Sequence, residues 1–559
     1  MPRPLRTPCR FVTSAALLAA TTLAAAPGRA FVSLDVKVVT RVQAPGAAPG
    51  MILTGIGGAV VNDAGEVAFQ GWVEDPTLEI GGSGIFGPDA SGAFVPVAFD
   101  FEPVPDLPPD TEFRFNQTYF PRLDDAGSVV FQAGLSGPDI SHPANSSGIW
   151  RWRAESGLER LARAGDPVPA AGPGFALGQI QGGLTLPTNG AGGVHFAGTY
   201  ADSVQQIGEM ALFDIGASGI DPVVTTGMPV PGVPGAVITY LDTGVVSESG
   251  DWSFAAWFQG PGVVTDLNDS GSFHWSADSG LSLRIRAGDP APATEPGVAF
   301  AGAGGAYPNA AGRFAYLSRI VGPGVDEASD SVLYGPGAAG SLVLLAREGR
   351  SAPGTEPGTV FDDLRSGGSC VVIDAQGRVA FVAALAGTAI SEANDVGIWR
   401  WDPARSALEL LVREGDPAPA LPGDTVATLG CPVQNDRGDL AFDAVLAGSD
   451  VTSGTDGVVY AIDAAGSWQK VLREGDLVPF GPGDLRPLEA FGFHAGAVTD
   501  IPGAGALSNN GQLLLVGYSA DGTNALVVAT IPEPAFGSGL GAGVVLLAAL
   551  ARNGPGVRR

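Results

Sequence analysis

The sequence predicts an all-β protein, a β-propeller of eight four-stranded blades. Three observations lead to this prediction. A repeat of about 60 residues runs along most of the chain, each repeat joins turn residues to alternating apolar residues, and no long helical period interrupts it. Units of this size cannot bury their own faces, so they must pack on one another in series.

The clearest marker of the repeat is an Arg-x-Gly-Asp-x-x-Pro motif that ends one predicted strand and opens the link to the next unit. It occurs at residues 163–169, 286–292, 413–419 and 473–479, with a degraded copy at 347–353. An Asp between Gly and Pro caps a turn, and the Arg can pair with a carboxylate of its own or a neighbouring blade. We therefore expect a structural role for Asp166, Asp289, Asp416 and Asp476, rather than a ring of metal ligands.

The other strands of each unit have markers of their own. Asn/Asp-x-x-Gly followed by Val-x-Phe alternation, as at 62–69 and 435–442, is typical of a tight turn leading into a half-buried strand. A Gly-Ile-Trp strand then leads through a turn to the strand that ends at the motif Arg, as at 148–163 and 397–413. With the strand that precedes the Asn/Asp turn, each unit has four strands.

The ends of the array predict how the ring closes. Fourth strands end near Arg41, Phe99, Arg163, Thr226, Arg286, Arg347, Arg413 and Arg473. The first of these precedes every other strand, and the last unit, at about 481–530, lacks a fourth strand. Pairing the N-terminal strand with the last unit would close eight blades and leave no bare sheet edge.

Loop lengths predict which face binds a ligand. The connections between the second and third strands are long, for example 134–147, 322–331 and 387–396, and so are the links that follow the motif Arg. Both classes emerge on the same side of a propeller, so we expect a ligand to bind there.

The N-terminal residues 1–30 are typical of a signal peptide, because a basic stretch precedes a short apolar run that ends in small residues. The run is short for a membrane anchor. We therefore expect export, with the propeller at 31–530 and a separate tail at 531–559.

The tail begins with Pro532, Glu533 and Pro534, continues with an apolar stretch at 535–551 and ends with scattered Arg residues. It resembles a PEP-CTERM sorting tail. The resemblance implies that these three residues are recognised by an exosortase that removes the tail, and that the host makes exopolysaccharide. The alternative is an ordinary C-terminal membrane anchor.

Charge excludes some partners and suggests one ion. The net charge of −28 opposes binding to nucleic acid or anionic lipid. Acidic residues in the long loops are the candidates for calcium, with solvated loop charge as the interpretation we favour. These candidates fall in three separate loops: Asp326, Glu327 and Asp330; Glu392, Asn394 and Asp395; and Asp266 with Asp269.

Cysteine and histidine give few further sites. Cys370 and Cys431 occupy equivalent positions in neighbouring repeats and would bridge in an oxidising compartment if their blades bring them close enough. The four histidines lack paired spacing, so no zinc site is expected. No nucleophile elbow or phosphate-binding loop is present, and no residue is assigned as catalytic.

The whole pattern resembles a bacterial family of uncharacterised exported repeat proteins, which implies no known activity. Our hypothesis is a non-catalytic surface or matrix propeller that binds a glycan or a protein. The alternatives are an extracellular enzyme acting on polysaccharide and a purely structural matrix component. Trp150, Trp152, Trp399 and Trp401 either stack on sugars or, as we favour, pack between blades.

Overall fold

The computed structural model describes residues 32–532 apart from 78–79, 116–120, 186–192, 203–207, 217–218, 248, 310, 338–340, 365–369, 482 and 494–505. The predicted signal peptide and residues 533–559 of the predicted tail, Glu533 and Pro534 among them, lie outside the described residues, whereas Pro532 is the last described residue. Within them, one 3₁₀ turn (Pro169–Ala171) accompanies 39 strands. No helix in this part of the chain has the length and apolarity needed to cross a membrane.

The strands form eight blades in chain order. The first described strand is β1 (Ser33–Val39). Blade 1 contains β2 (Ile52–Val61), β3 (Val67–Asp75), β4 (Ile80–Pro88) and β5 (Phe94–Phe99); blade 2 contains β6 (Glu112–Arg114), β7 (Arg122–Leu123), β8 (Val129–Ser136), β9 (Ser147–Arg153) and β10 (Gly157–Arg163). Blade 3 contains β11 (Phe175–Thr185), β12 (Val194–Asp202), β13 (Gly208–Gly216) and β14 (Gly219–Thr225); blade 4 contains β15 (Val237–Leu241), β16 (Val245–Val246), β17 (Trp252–Gln259), β18 (Ser270–Ser276) and β19 (Gly280–Arg286).

The second half of the ring repeats this order. Blade 5 contains β20 (Ala299–Phe300), β21 (Gly305–Pro308), β22 (Phe314–Val321), β23 (Ser331–Pro336) and β24 (Leu342–Arg347); blade 6 contains β25 (Val360–Phe361), β26 (Val371–Ile373), β27 (Val379–Ala386), β28 (Val396–Asp402) and β29 (Ala407–Arg413). Blade 7 contains β30 (Thr425–Leu429), β31 (Val433–Gln434), β32 (Leu440–Ala447), β33 (Gly457–Ile462) and β34 (Trp468–Arg473). A hairpin of β35 (Leu477–Gly481) and β36 (Asp484–Pro487) precedes blade 8, which contains β37 (Ala490–Phe493), β38 (Gln512–Tyr518) and β39 (Asn524–Thr530).

The ring closes as the sequence predicts. β1 pairs antiparallel with β39, from Ser33 opposite Thr530 to Val39 opposite Ala525, and so becomes the fourth strand of blade 8. The propeller of eight blades is thereby confirmed, because the last blade takes its missing strand from the start of the chain. Both edges of β39 are then paired.

The first strand of each blade lies nearest the propeller axis. First strands of adjacent blades contact one another because the blades converge there. For example, β16 contacts β21, and β26 contacts β31. In blades 2, 4, 5, 6 and 7 this inner strand is split into two short segments that both pair with the second strand. The inner strands therefore form an interrupted wall around the axis.

The hydrophobic core lies between blades. Ile85 of blade 1 packs with Phe131 and Trp150 of blade 2, and Leu345 of blade 5 packs with Trp399 of blade 6. The tryptophans of both Gly-Ile-Trp strands are buried, which makes them packing residues rather than sugar-stacking surfaces.

The Asn/Asp-x-x-Gly turns line one face, which we call the short-turn face, and link neighbouring blades. Asn62 Nδ2 donates to the carbonyl oxygen of Asp124 at 2.9 Å, and Asn435 Nδ2 donates to that of Ser508 at 2.9 Å. The turns of blades 8 and 1 are also linked, because the backbone N–H of Asn509 donates to Asp63 Oδ1 at 2.5 Å. The turn residues thus couple the blades as well as shaping their own hairpins.

The Arg-x-Gly-Asp motif is also structural. Asp416 accepts the backbone N–H of Arg413 at 2.8 Å, and Asp476 accepts that of Arg473 at 2.8 Å. The Arg413 guanidinium donates to both carboxylate oxygens of Glu356 at 2.7 and 3.0 Å, in the link that precedes its blade. The motif therefore holds together the loops where one blade passes to the next.

Cys370 and Cys431 are joined in a disulfide with a Cα–Cα distance of 5.1 Å. Cys370 immediately precedes β26 and Cys431 lies two residues before β31, so the bond lies at the inner strands of blades 6 and 7. Equivalent positions are close here because they lie near the axis, where blades converge.

Candidate functional site

The face opposite the short turns, which we call the long-loop face, carries the long connections. Each blade is an antiparallel meander, so the loops between its second and third strands and the links between blades emerge together. Segments 260–269, 322–330 and 387–395 are such loops. The inner strands also begin at this face, so it surrounds one mouth of the axial channel.

The structure does not group the calcium candidates around one point. Asp326 accepts a hydrogen bond from Ser329 Oγ at 2.6 Å, and Asp330 lies 3.6 Å from an Arg319 nitrogen. Glu327 is exposed, and Asp395 belongs to the next blade. In the described ranges no three His, Cys, Asp or Glu side chains come together as a metal site would require.

A carboxyl group that the sequence motifs do not single out joins neighbouring blades at the long-loop face. It follows the motif Arg directly. Glu348 accepts a hydrogen bond from the backbone N–H of Ser331 at 3.0 Å, and Glu474 accepts one from the backbone N–H of Gly457 at 2.9 Å. Each donor begins the third strand of the blade that its Glu follows. Glu414 accepts hydrogen bonds from the backbone N–H groups of Val396, in its own blade, and of Leu429, in the next blade. Glu348, which also accepts from the backbone of Leu364, and Glu414 therefore tie a third strand to the inner part of the next blade.

Each of these Glu residues faces an Asp that precedes the third strand. Burial raises the pKa of each Glu. For Glu414, burial is the main cause, and the hydrogen bond and charge of Asp395 add to it, so the pKa rises to about 7. Burial likewise raises the pKa of Glu348, with a smaller contribution from Asp330, and the pKa of Glu474 beside Asp456. Three successive blades thus hold carboxyl pairs that favour keeping a proton.

We predict that Glu414→Gln stabilises the protein more at pH 8 than at pH 5. The folded-state pKa, about 7, exceeds the ordinary value of 4.5, so this group's stabilising contribution is complete below pH 4.5 and is lost as pH rises through 7. The amide stays neutral and still donates to Asp395. The gain in free energy of unfolding at pH 8 should be about 1–3 kcal/mol. Denaturant melts at both pH values measure it, with exposed Glu392→Gln as the control; equal effects at both pH values would contradict the prediction.

Exposed aromatic side chains lie at the mouth of the channel on the long-loop face. Trp72 and Trp257 are each 39% exposed near the ends of second strands, and Tyr240 is 53% exposed on an inner strand. Thr54 and Thr239 hydroxyls donate to the carbonyl oxygens of Trp72 and Trp257 at 3.2 and 3.1 Å, so the two tryptophans occupy equivalent positions in blades 1 and 4.

The two aromatic positions are supported differently by their inner strands. Trp72 lies across Gly55 and Gly57, where an added Cβ would approach the indole to 3.0 and 2.7 Å. Trp257 instead meets Tyr240, with ring centroids 5.4 Å apart and planes inclined at 60°. Both arrangements hold a ring in place with part of its surface open to solvent. The Gly-x-Gly on the strand before Trp72 is the sequence signal that could have pointed to this position.

Two clefts open in the same region. One, of about 480 Å³, is lined largely by backbone at 301–305 in blade 5. The other, of about 450 Å³, lies on blade 2 and is lined by Arg114, Gln132 and His142, with Gln179 of blade 3. Both volumes fall within the range of small-ligand pockets.

Buried histidines add no chemistry to this face. His195 and His274 are buried in strands of blades 3 and 4. Burial lowers the pKa of His195 to about 4 and lowers that of His274, so both are neutral at ordinary pH. His494 lies outside the described residues.

The architecture defines an eight-bladed β-propeller with an open, aromatic-bearing face. A family model covering residues 61–538 matches the chain, which belongs to the family of unknown function DUF7453. No curated protein matches the chain.

Among solved structures, the Dos1 propeller aligns over 87% of this chain and 95% of its own, at 10% identity and a TM-score of 0.33. The acylaminoacyl peptidase of Pyrococcus horikoshii aligns over 79% of this chain and 53% of its own, at 8% identity and a TM-score of 0.33. The WD40 domain of Toxoplasma gondii coronin aligns over 76% of this chain and 87% of its own, at 10% identity and a TM-score of 0.28. No activity is transferred from such distant likenesses.

Proposed function

We propose that this protein is an exported, non-catalytic propeller that binds an uncharged polysaccharide on its long-loop face. The observation that carries the proposal is the placement of Trp72, Tyr240 and Trp257, three partly exposed rings at the mouth of the channel. Sugar rings present C–H faces that pack on aromatic rings, and aromatic side chains held rigid by their neighbours bind at low entropic cost.

The charge of the protein supports an uncharged ligand. The chain carries 58 acidic and 30 basic residues, so a polyanionic glycan would be repelled before it reached the rings. The N-terminal basic and apolar pattern, and the Pro-Glu-Pro tail, support export and processing by an exosortase-type enzyme. A polysaccharide of the cell surface or matrix would then be the nearest partner.

The carboxyl pairs give the enzymatic alternative little support. A glycosidase needs two carboxyl groups that reach the substrate. Glu348 and Glu414 are buried, and they accept backbone N–H groups that join strands and blades. Such carboxyl groups suit a structural role better than a catalytic one.

The test is binding of the purified exported protein to uncharged polysaccharides and to the exopolysaccharide of the producing cells, with and without calcium. Trp72→Ala combined with Trp257→Ala should weaken binding at least about tenfold without unfolding the protein. Leu267→Ala, at an exposed residue in a loop of the same face, is the matched control. Retained affinity in the double variant would overturn the proposal.

The same samples separate the alternatives. Release of shorter sugars would favour the enzyme, and absence of binding by the unaltered protein would favour the structural matrix component. Loss of binding on calcium removal would favour calcium sites in the acidic loops around Asp326 and Asp395.

A further inference from the structure

Phe101 occupies a position that disfavours a bulky side chain. It stands where the Arg-x-Gly motif has Gly, in the link between blades 1 and 2, and its φ is +67°. The equivalent glycines have φ between +75° and +93°: Gly165, Gly227, Gly288, Gly349, Gly415 and Gly475. After the closing strand β1, the same position is occupied by Arg41, with φ +63°. Left-handed backbone is strained for a side chain with a Cβ, and most of all for a bulky one.

Hydrogen bonds hold Phe101 in this conformation. Its N–H donates to the carbonyl oxygen of Phe113 at 3.1 Å, and the N–H of Phe113 donates to that of Glu102 at 3.0 Å. The ring gains little burial in return, since Phe101 remains 57% exposed. A strained residue that contributes little to the core suggests a functional role.

Arg114 fixes one side of the exposed ring. Its guanidinium carbon lies 4.1 Å from the Phe101 ring centroid, and its Nη2 donates to Glu112 at 3.0 Å. The cation therefore covers one face of the ring and leaves the opposite face for a ligand. Glu112 offsets the charge of Arg114, so the pair attracts an uncharged polar group without selecting an anion.

The cleft of about 450 Å³ on blade 2 continues from Arg114. Gln132 and Gln179 contribute amides, and His142, whose Nδ1 is 3.0 Å from Ser146 Oγ, contributes an imidazole. An amide side chain both donates and accepts hydrogen bonds, as a sugar hydroxyl does. Arg114 contacts the Phe101 ring and also lines this cleft, so it connects the exposed ring to the two amides. A ring that packs on a C–H face and amides that bind hydroxyls suit an uncharged sugar.

We propose that Phe101 and the blade 2 cleft form a distinct subsite for an uncharged sugar unit of the polysaccharide, with Arg114 orienting the ring. This inference rests on the proposed function and adds a second point of contact to the aromatic residues of blades 1 and 4. It also explains why a bulky residue occupies this position in blade 1, where most blades have Gly.

Phe101→Gly separates this role from a structural one. It removes the ring and relieves the backbone strain, so the variant should melt at or above the temperature of the unaltered protein while binding the polysaccharide about three- to tenfold more weakly. Gln179→Ala, at an exposed residue of the cleft, should weaken binding about two- to fivefold with no change in melting temperature. Leu267→Ala again serves as the control.

The outcomes are distinguishable. Unaltered binding in both variants, with the unaltered protein binding normally, would overturn the subsite and leave the proposed function intact. A lower melting temperature of Phe101→Gly with unchanged affinity would make Phe101 a structural residue. If the unaltered protein binds no uncharged polysaccharide, the proposed function itself fails.

Discussion

A chain that begins at Val42, and so lacks β1, is expected to lose the folded monomer. β1 contributes six residue pairs to β39 and covers the edge of blade 8, where Leu526 and Val528 are buried. Without it, β39 exposes unpaired backbone groups beside apolar side chains, which is a template for aggregation. Size-exclusion chromatography and thermal melts followed by circular dichroism measure the result.

The matched control is a chain that begins at Val32, which keeps β1 and should remain a monomer with unaltered melting. A synthetic peptide of residues 32–41 added during refolding should restore part of the monomer, because strand addition at an open edge recovers the same hydrogen bonds. A stable monomer without β1 would show that the blades do not need closure by this strand.

Trp399→Ala is expected to cost about 3–5 kcal/mol of the free energy of unfolding. Trp399 is fully buried, its ring centroid lies 5.0 Å from that of Phe361 and 6.1 Å from that of Phe381, and its Nε1 donates to the carbonyl oxygen of Pro353 at 3.1 Å. The substitution leaves a cavity between blades 5 and 6. Denaturant melts measure the loss.

Trp150 provides a matched comparison that isolates the hydrogen bond. Its ring lies 5.0 Å from Phe113 and 6.1 Å from Phe131, the same surroundings as Trp399, yet its Nε1 has no hydrogen-bond partner among the described residues. Trp399→Phe should therefore cost about 1–2 kcal/mol more than Trp150→Phe, because it leaves the Pro353 carbonyl without its donor. Equal costs would show that the hydrogen bond contributes nothing net.

Local chemistry explains why the strands were predictable. The Asn/Asp-x-x-Gly turns, the Val-x-Phe alternation and the strand ends at Arg163, Arg286, Arg347, Arg413 and Arg473 depend on residues a few positions apart. Because each turn reverses the chain, counting fourth strands was enough to predict eight blades and the closing role of β1.

The exposed rings were not predictable in the same way. Trp257, on the second strand of blade 4, is partly open at the channel mouth, whereas Trp399, on the third strand of blade 6, is buried between blades. Alternation places a side chain on one face of its sheet, whereas its height along the blade and the residues of the neighbouring blade decide whether solvent reaches it.

The sequence by itself determined the architecture: eight four-stranded blades, a ring closed by the first strand, and the face that carries the long loops. Only the tertiary structure decided which side chains meet there, such as Glu414 with Asp395 and Phe101 with Arg114. The reason is physical. Turn and strand preferences act between near neighbours in the chain, whereas burial, raised pKa values and ring contacts arise between residues that the closed ring brings together.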